Sequence, residues 1–140
     1  MKRIATAFTT LLVIITAAYI YLDTQYLYTP LTFQKDSVTP HDWWDYKRPL
    51  TMKFHNISGD YEGYVIEDQK EIKRILTVLK KSETAEGSIS NIQAVEAGLT
   101  VENKQENLVE ILIYTYHWEI LKYDAKPYQR TERIDNLLNM

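Results

Sequence analysis

The chain has 140 residues, a formal net charge of −3, 16 basic against 19 acidic residues, and no cysteine. Disulfide scaffolding, zinc–thiolate sites, thiol catalysis and a lipid-modified amino-terminal cysteine are thereby excluded. The acidic, mixed charge speaks against nucleic acid as a partner and against a polybasic lipid-binding patch, since both need a basic face.

The dominant feature comes first. Residues Ile4 to Leu22 form an uncharged apolar run, preceded by Lys2 and Arg3 and followed by Asp23. As a helix, its 19 residues rise about 28 Å, close to the thickness of a bilayer's hydrocarbon core. Thr6, Thr9, Thr10 and Thr16 are tolerated there because each hydroxyl can bond back to a carbonyl one turn earlier. Tyr19, Tyr21, Tyr26 and Tyr28 crowd the far end, as a membrane-interface aromatic belt would. The rival reading is a cleaved signal peptide with Thr16-Ala17-Ala18 as its small-residue site. Apolar residues continue past that site without a polar break, so an uncleaved anchor is preferred. Lys2 and Arg3 favour the cytoplasmic side, and no Lys or Arg follows until Lys35, so the rest of the chain is expected outside.

Residues 23–49 read as a connector, with Pro30, Pro40 and Pro49 and no sustained period. Within it, Trp43, Trp44 and Tyr46 form an aromatic cluster between acidic residues. The preferred reading is packing on the domain or at the headgroup boundary; the sharper one is a partner-binding patch.

From Leu50 to the end, one domain is expected. Met52 and Phe54 alternate with Lys53 and His55 as in a strand, Ser58-Gly59-Asp60 turns, and Tyr64–Glu67 returns as a hairpin partner. Asp68 as N-cap with Glu71 three residues on predicts a capping box, followed by a helix whose stripe is Ile72, Ile75, Leu76 and Leu79. Its Lys70, Lys73, Arg74, Lys80 and Lys81 read as a solvated face. Ser88 to Val95 is a weak strand, Leu99 to Glu102 a better one, and residues 103–107 a polar loop. Leu108 to Tyr114 is apolar on both faces, as in a central strand. A bend near Tyr116–Trp118, a strand at Ile120–Tyr123, a turn at Asp124–Pro127 and a short helix, Glu132–Asn139, capped by Thr131 complete the order.

Hairpin-length links and single-stripe helices predict an α+β fold. It comprises an N-terminal transmembrane helix (1–22), the connector (23–49) and a small two-layer domain (50–140), an antiparallel sheet with helices on one face. The segments YVIEDQKEIKRILTVL, GLTVENKQENLVEILIY and YDAKPYQRTERIDNLL resemble the YhfM-like domains, small envelope proteins of spore-forming Gram-positive bacteria. The stretch at Tyr116-His117-Trp118 departs from that pattern. The resemblance implies a membrane or lipoprotein anchor with an outward domain, and it carries over no catalytic residue.

Chemistry is sparse. His41, His55 and His117 lack metal-ligand spacing, and there is neither a nucleophile elbow nor a phosphate-cradling glycine loop. No metal, cofactor or catalytic residue is expected. The reading is a membrane-anchored extracytoplasmic binding or accessory module, not an enzyme, held to the membrane by its first helix and facing a protein or envelope ligand. The alternatives are a protective protein that sequesters a toxin or envelope enzyme, and a small envelope hydrolase using His55 or His117 with a carboxylate. For the location, the alternative is secretion after signal cleavage.

Overall fold

The computed structural model describes residues 2–59, 62–85, 94–122 and 124–138, the side chains of 2–5, 124 and 125 excepted. The first helix, α1, runs Lys2–Gln25 without interruption. Thr10 and Thr16 donate their hydroxyls to the carbonyls of Thr6 and Leu12, 3.0 and 2.9 Å away, so these polar atoms are satisfied within the helix as a membrane requires. The window Thr6–Gln25 has a mean hydropathy of 1.6 and no buried residue, which makes α1 long and apolar enough to span a bilayer.

Beyond it lies a six-stranded antiparallel sheet in the order β2-β1-β3-β4-β5-β6. Its strands are β1 (Thr51–Asn56), β2 (Tyr64–Ile66), β3 (Val95–Glu102), β4 (Asn107–Tyr114), β5 (His117–Ile120) and β6 (Asp124–Gln129). Helix α2 (Gln69–Lys80) links β2 to β3, and α3 (Glu132–Leu138) closes the chain. Strand alternation divides the residues. Met52 and Phe54 lie opposite Val101 and Leu99; these face Val109 and Ile111; Ile111 and Ile113 lie beside Ile120 and Trp118. All are buried, and they share one core with Ile72, Ile75, Leu76 and Leu79 of α2 and Ile134 and Leu138 of α3. The fold is therefore α+β with both helices on one face, as expected. The opposite face carries Lys53, Thr100, Glu102 and Glu110, with Lys53 paired to Glu102 and Lys122 to Glu110.

The α2 cap behaves partly as expected. The Asp68 carboxylate accepts from the N–H groups of Lys70 and Glu71 at 2.8 and 3.4 Å. Glu71 turns to Arg74, 2.6 Å away, rather than back toward the cap. Gln69 makes a link that no local pattern announces. Its carboxamide accepts from the Leu50 N–H at 3.0 Å and donates to the Leu50 carbonyl at 2.8 Å, closing both backbone groups of a fully buried residue. The basic face of α2 is also not uniformly solvated. Lys80 donates to the Gln34 carbonyl at 2.6 Å, pairs with Asp36 at 3.2 Å, and lies over the rings of Tyr28 and Phe33.

These contacts correct the reading of 23–49 as a connector. Leu27, Tyr28, Val38, Tyr46 and Leu50 belong to the same core as the sheet. The prolines and the missing period mark a segment held by its buried side chains and one short backbone bridge, outside the sheet. Among the remaining predictions, residues 88–93 of the Ser88–Val95 strand lie outside the described residues. The bend after β4 falls at Thr115–Tyr116, so β5 starts at His117, before the expected strand. The next turn is Leu121–Lys122, where Lys122 takes φ 77°. The expected turn at Asp124–Pro127 is instead strand β6. Pro127 is tolerated because β6 is the last strand of the sheet, and a proline there removes no inner ladder bond.

Arg130, at the end of β6, ties the closing helix to the sheet. It pairs with Glu96 on β3 at 2.5 Å and with Asp135 on α3 at 2.6 Å, and donates to the Tyr114 carbonyl at 2.9 Å. The Arg130 hydrogen bond is the main reason the Glu96 carboxyl sits below its ordinary value near 4.5; burial opposes this and Thr115 adds to it. A depressed folded-state value means that this contribution is complete above the unfolded value and fades as pH falls through the folded one. Glu96→Gln is expected to cost roughly 1–3 kcal/mol near neutral pH. It should also abolish part of the stability lost on acidification below pH 4.5. Urea unfolding across pH 3–7 for both proteins checks this, with a smaller acid-dependent loss expected in the variant.

Candidate functional site

The site is built where α1 meets the domain. The last turn of α1 leaves carbonyls without intrahelical partners, and the protein supplies them. Tyr26 N–H reaches the Leu22 carbonyl, the Thr24 hydroxyl reaches Tyr21, and Arg48 N–H reaches Gln25 at 2.9 Å. Leu27 N–H then donates to the Tyr46 carbonyl at 2.9 Å, and Tyr26 and Lys47 form an antiparallel bridge. Residues 46–48 thus act as a short strand against the residues that leave the helix.

Just before them, Trp43–Asp45 form a single 3-10 turn. Asp42 N–H donates to the Asp45 carboxylate at 3.0 Å, and Asp45 N–H returns to the Asp42 carbonyl at 3.0 Å. From there the chain alternates: Tyr46 points into the core, Lys47 outward, Arg48 is half-buried, and Leu50 is buried again. The Arg48–Pro49 peptide is cis. The β3–β4 loop comes up against this segment through Asn103. Its side-chain oxygen accepts from Gln105 and Glu106 N–H at 2.8 and 2.9 Å, shaping the loop. Its amide donates to the Asp45 carbonyl at 3.0 Å, joining loop to turn. Between the two lies a cavity of about 270 Å³, lined by Trp44, Asp45, Lys47, Arg48 and Pro49 on one side and residues 103–106 on the other.

The aromatic residues singled out in the sequence divide sharply. Of the three in the connector, Trp44 is 53 % exposed and stands at the cavity rim. Trp43 is half-buried, edge-on to Tyr26 and Trp44 at 5.0 and 5.7 Å. Tyr46 is fully buried, which removes it as a partner-binding residue. Of the four tyrosines in the expected belt, Tyr19 and Tyr21 project exposed from α1. Tyr26 is half-buried against Trp43, and Tyr28 is 5 % exposed in the domain core, edge-on to Tyr46 at 5.5 Å. Tyr28 therefore cannot contact lipid. Burial, with Asp36 adding, pushes its hydroxyl well above the ordinary phenol range; Tyr46 is pushed up by the same main cause. Both rings were drawn inward because the segment carrying them is core, not tether.

The histidines do not converge. His55 is exposed on β1, and His41 is half-buried. His117 is 4 % exposed, stacked on Tyr114 at 4.4 Å, with Nε2 3.3 Å from Glu119. Among the described residues, no group of three or more acidic or histidine side chains could hold a metal ion. Asn103 and the Lys47–Arg48 pair were missed as site residues. The Asx-type turn at Asn103 was legible, whereas its bond to Asp45 joins parts of the chain too distant to read. No protein-family model, curated protein or solved structure matches the chain.

If Asn103 holds the two walls together, Asn103→Ala should lower stability by about 1–3 kcal/mol, the cost of stranding hydrogen-bonding groups. Hydrogen exchange should quicken at Gln105 and Glu106, which lose their acceptor, while the α2 amides remain as protected as before.

Proposed function

We propose that the chain is a membrane-anchored binding or accessory module whose domain faces outward and carries no catalytic role of its own. The observation that carries this reading is α1, an apolar helix of which no residue in the window Thr6–Gln25 is buried. A surface of that size exposed to water is costly, and lipid is the environment that removes the cost. The helix passes unbroken through Thr16-Ala17-Ala18 and ends in hydrogen bonds to the domain, which supports an anchor that stays attached. Lys2 and Arg3, next to the one candidate span among the described residues, support the outward orientation. The likeness to YhfM-like envelope proteins accords with the same arrangement. Burial of His117 leaves its imidazole little open face for a substrate, so hydrolysis gains no support from it.

The absence of cysteine makes a direct test simple. Lys81→Cys places one thiol on an exposed position after α2. In intact cells, a membrane-impermeant maleimide is expected to label it without permeabilisation, on full-length chain that resists alkaline extraction from membranes. Labelling only after permeabilisation would reverse the orientation. A shortened chain in the medium would identify a cleaved, secreted form.

A further inference from the structure

The outer part of the chain carries a net charge near −5, 14 basic against 19 acidic residues after Leu22. Around the cavity between residues 44–49 and 103–106 the balance is reversed, with three cations against two carboxylates. Lys47 and Arg48, from the segment bonded to α1, and Lys104, from the β3–β4 loop, line the same cavity. None of the three has an ion-pair partner among the described residues. The Arg48 Nε is buried and has no hydrogen-bond partner. Two carboxylates, Asp45 and Glu106, share the lining, but one oxygen of Asp45 is already taken by the Asp42 N–H.

The position of this cavity sets its chemistry. Arg48 N–H is bonded to the Gln25 carbonyl. Gln25 is three residues beyond Leu22, the last residue of the apolar run, which is about 4.5 Å along a helix. Lys47 and Arg48 therefore stand at headgroup depth when α1 spans a bilayer. Trp44, half-exposed at the rim, is the residue type that settles at that boundary. We propose that this cavity receives the phosphate of an anionic lipid headgroup in the leaflet on the domain's side. Lys47 and Lys104 supply the charge, and the half-buried Arg48 guanidinium donates hydrogen bonds, as guanidinium groups do to phosphate. The proposal rests on the membrane-anchored reading above.

The test uses the full chain reconstituted in vesicles of phosphatidylcholine, with and without phosphatidylglycerol. Flotation reports anchoring, and native mass spectrometry of the gently solubilised protein reports which lipid is retained. The expected result is flotation with both vesicles and preferential retention of phosphatidylglycerol. The exposed pair Lys47→Gln and Lys104→Gln should lower that preference about 25-fold, about fivefold per cation; Arg48→Gln should lower it separately. Flotation with no lipid preference, or a preference unchanged by the double variant, overturns the headgroup site and leaves the anchor standing. Failure to float overturns both. Millimolar inorganic phosphate should not displace the lipid; complete displacement identifies a soluble-anion site and overturns the lipid assignment.

Discussion

The structure depends on a short backbone weld. Arg48 N–H to Gln25 and Leu27 N–H to Tyr46, with the Tyr26–Lys47 bridge, turn the exit from α1 into a two-stranded junction. A helix followed by free chain would let the domain swing. Here the first residues after the helix are already part of the folded body, with Leu27 fully buried. Each such bond adds only about 1 kcal/mol net, but the geometry it imposes is out of proportion to that energy. It sets where every surface of the domain stands relative to α1.

The domain itself is one-sided. Helices α2 and α3 and the buried residues of 27–50, among them Leu27, Tyr28, Val38 and Tyr46, share one core with the sheet. That places nearly all hydrophobic stabilisation between two layers. The other face is held by side-chain pairs such as Lys53–Glu102, which contribute little in water. The far end needs its own tie, because α3 is short and buries only Ile134 and Leu138. Arg130 supplies it, bridging Glu96 and Asp135 while capping the Tyr114 carbonyl. The Tyr64 hydroxyl adds a second bond to α3, at the Leu138 carbonyl, 2.7 Å away.

What could be read from the sequence was whatever has a period or a local signature. The apolar run, the Met52–Phe54 alternation, the α2 stripe and the Asp68 cap are local, and they stand in the structure where they were expected. Local breaker rules misled at Pro127, because a proline says "not an inner strand" and was read as "turn". They misled again over residues 23–49, where Tyr28 and Tyr46 are buried by partners far along the chain. Lys80 illustrates the same limit. A lysine at a helix end fits the dipole, yet this one is held by Gln34 and Asp36, which no helical pattern encodes. The cavity was invisible for that reason, since its walls come from two separate stretches that the β1–β3 pairing and the Asn103 bond bring together.

The two borders of the sheet close with different means. Along β6, Ala85 N–H donates to Pro127 and Gln129 N–H to Glu83, so that margin is already occupied. The β2 margin is only three residues long, with Val65 exposed. Copies that meet side by side are the arrangement in which bare strands stitch sheets into ribbons. With one margin filled and the other only three residues long, the sheet offers little open edge for strand pairing between copies.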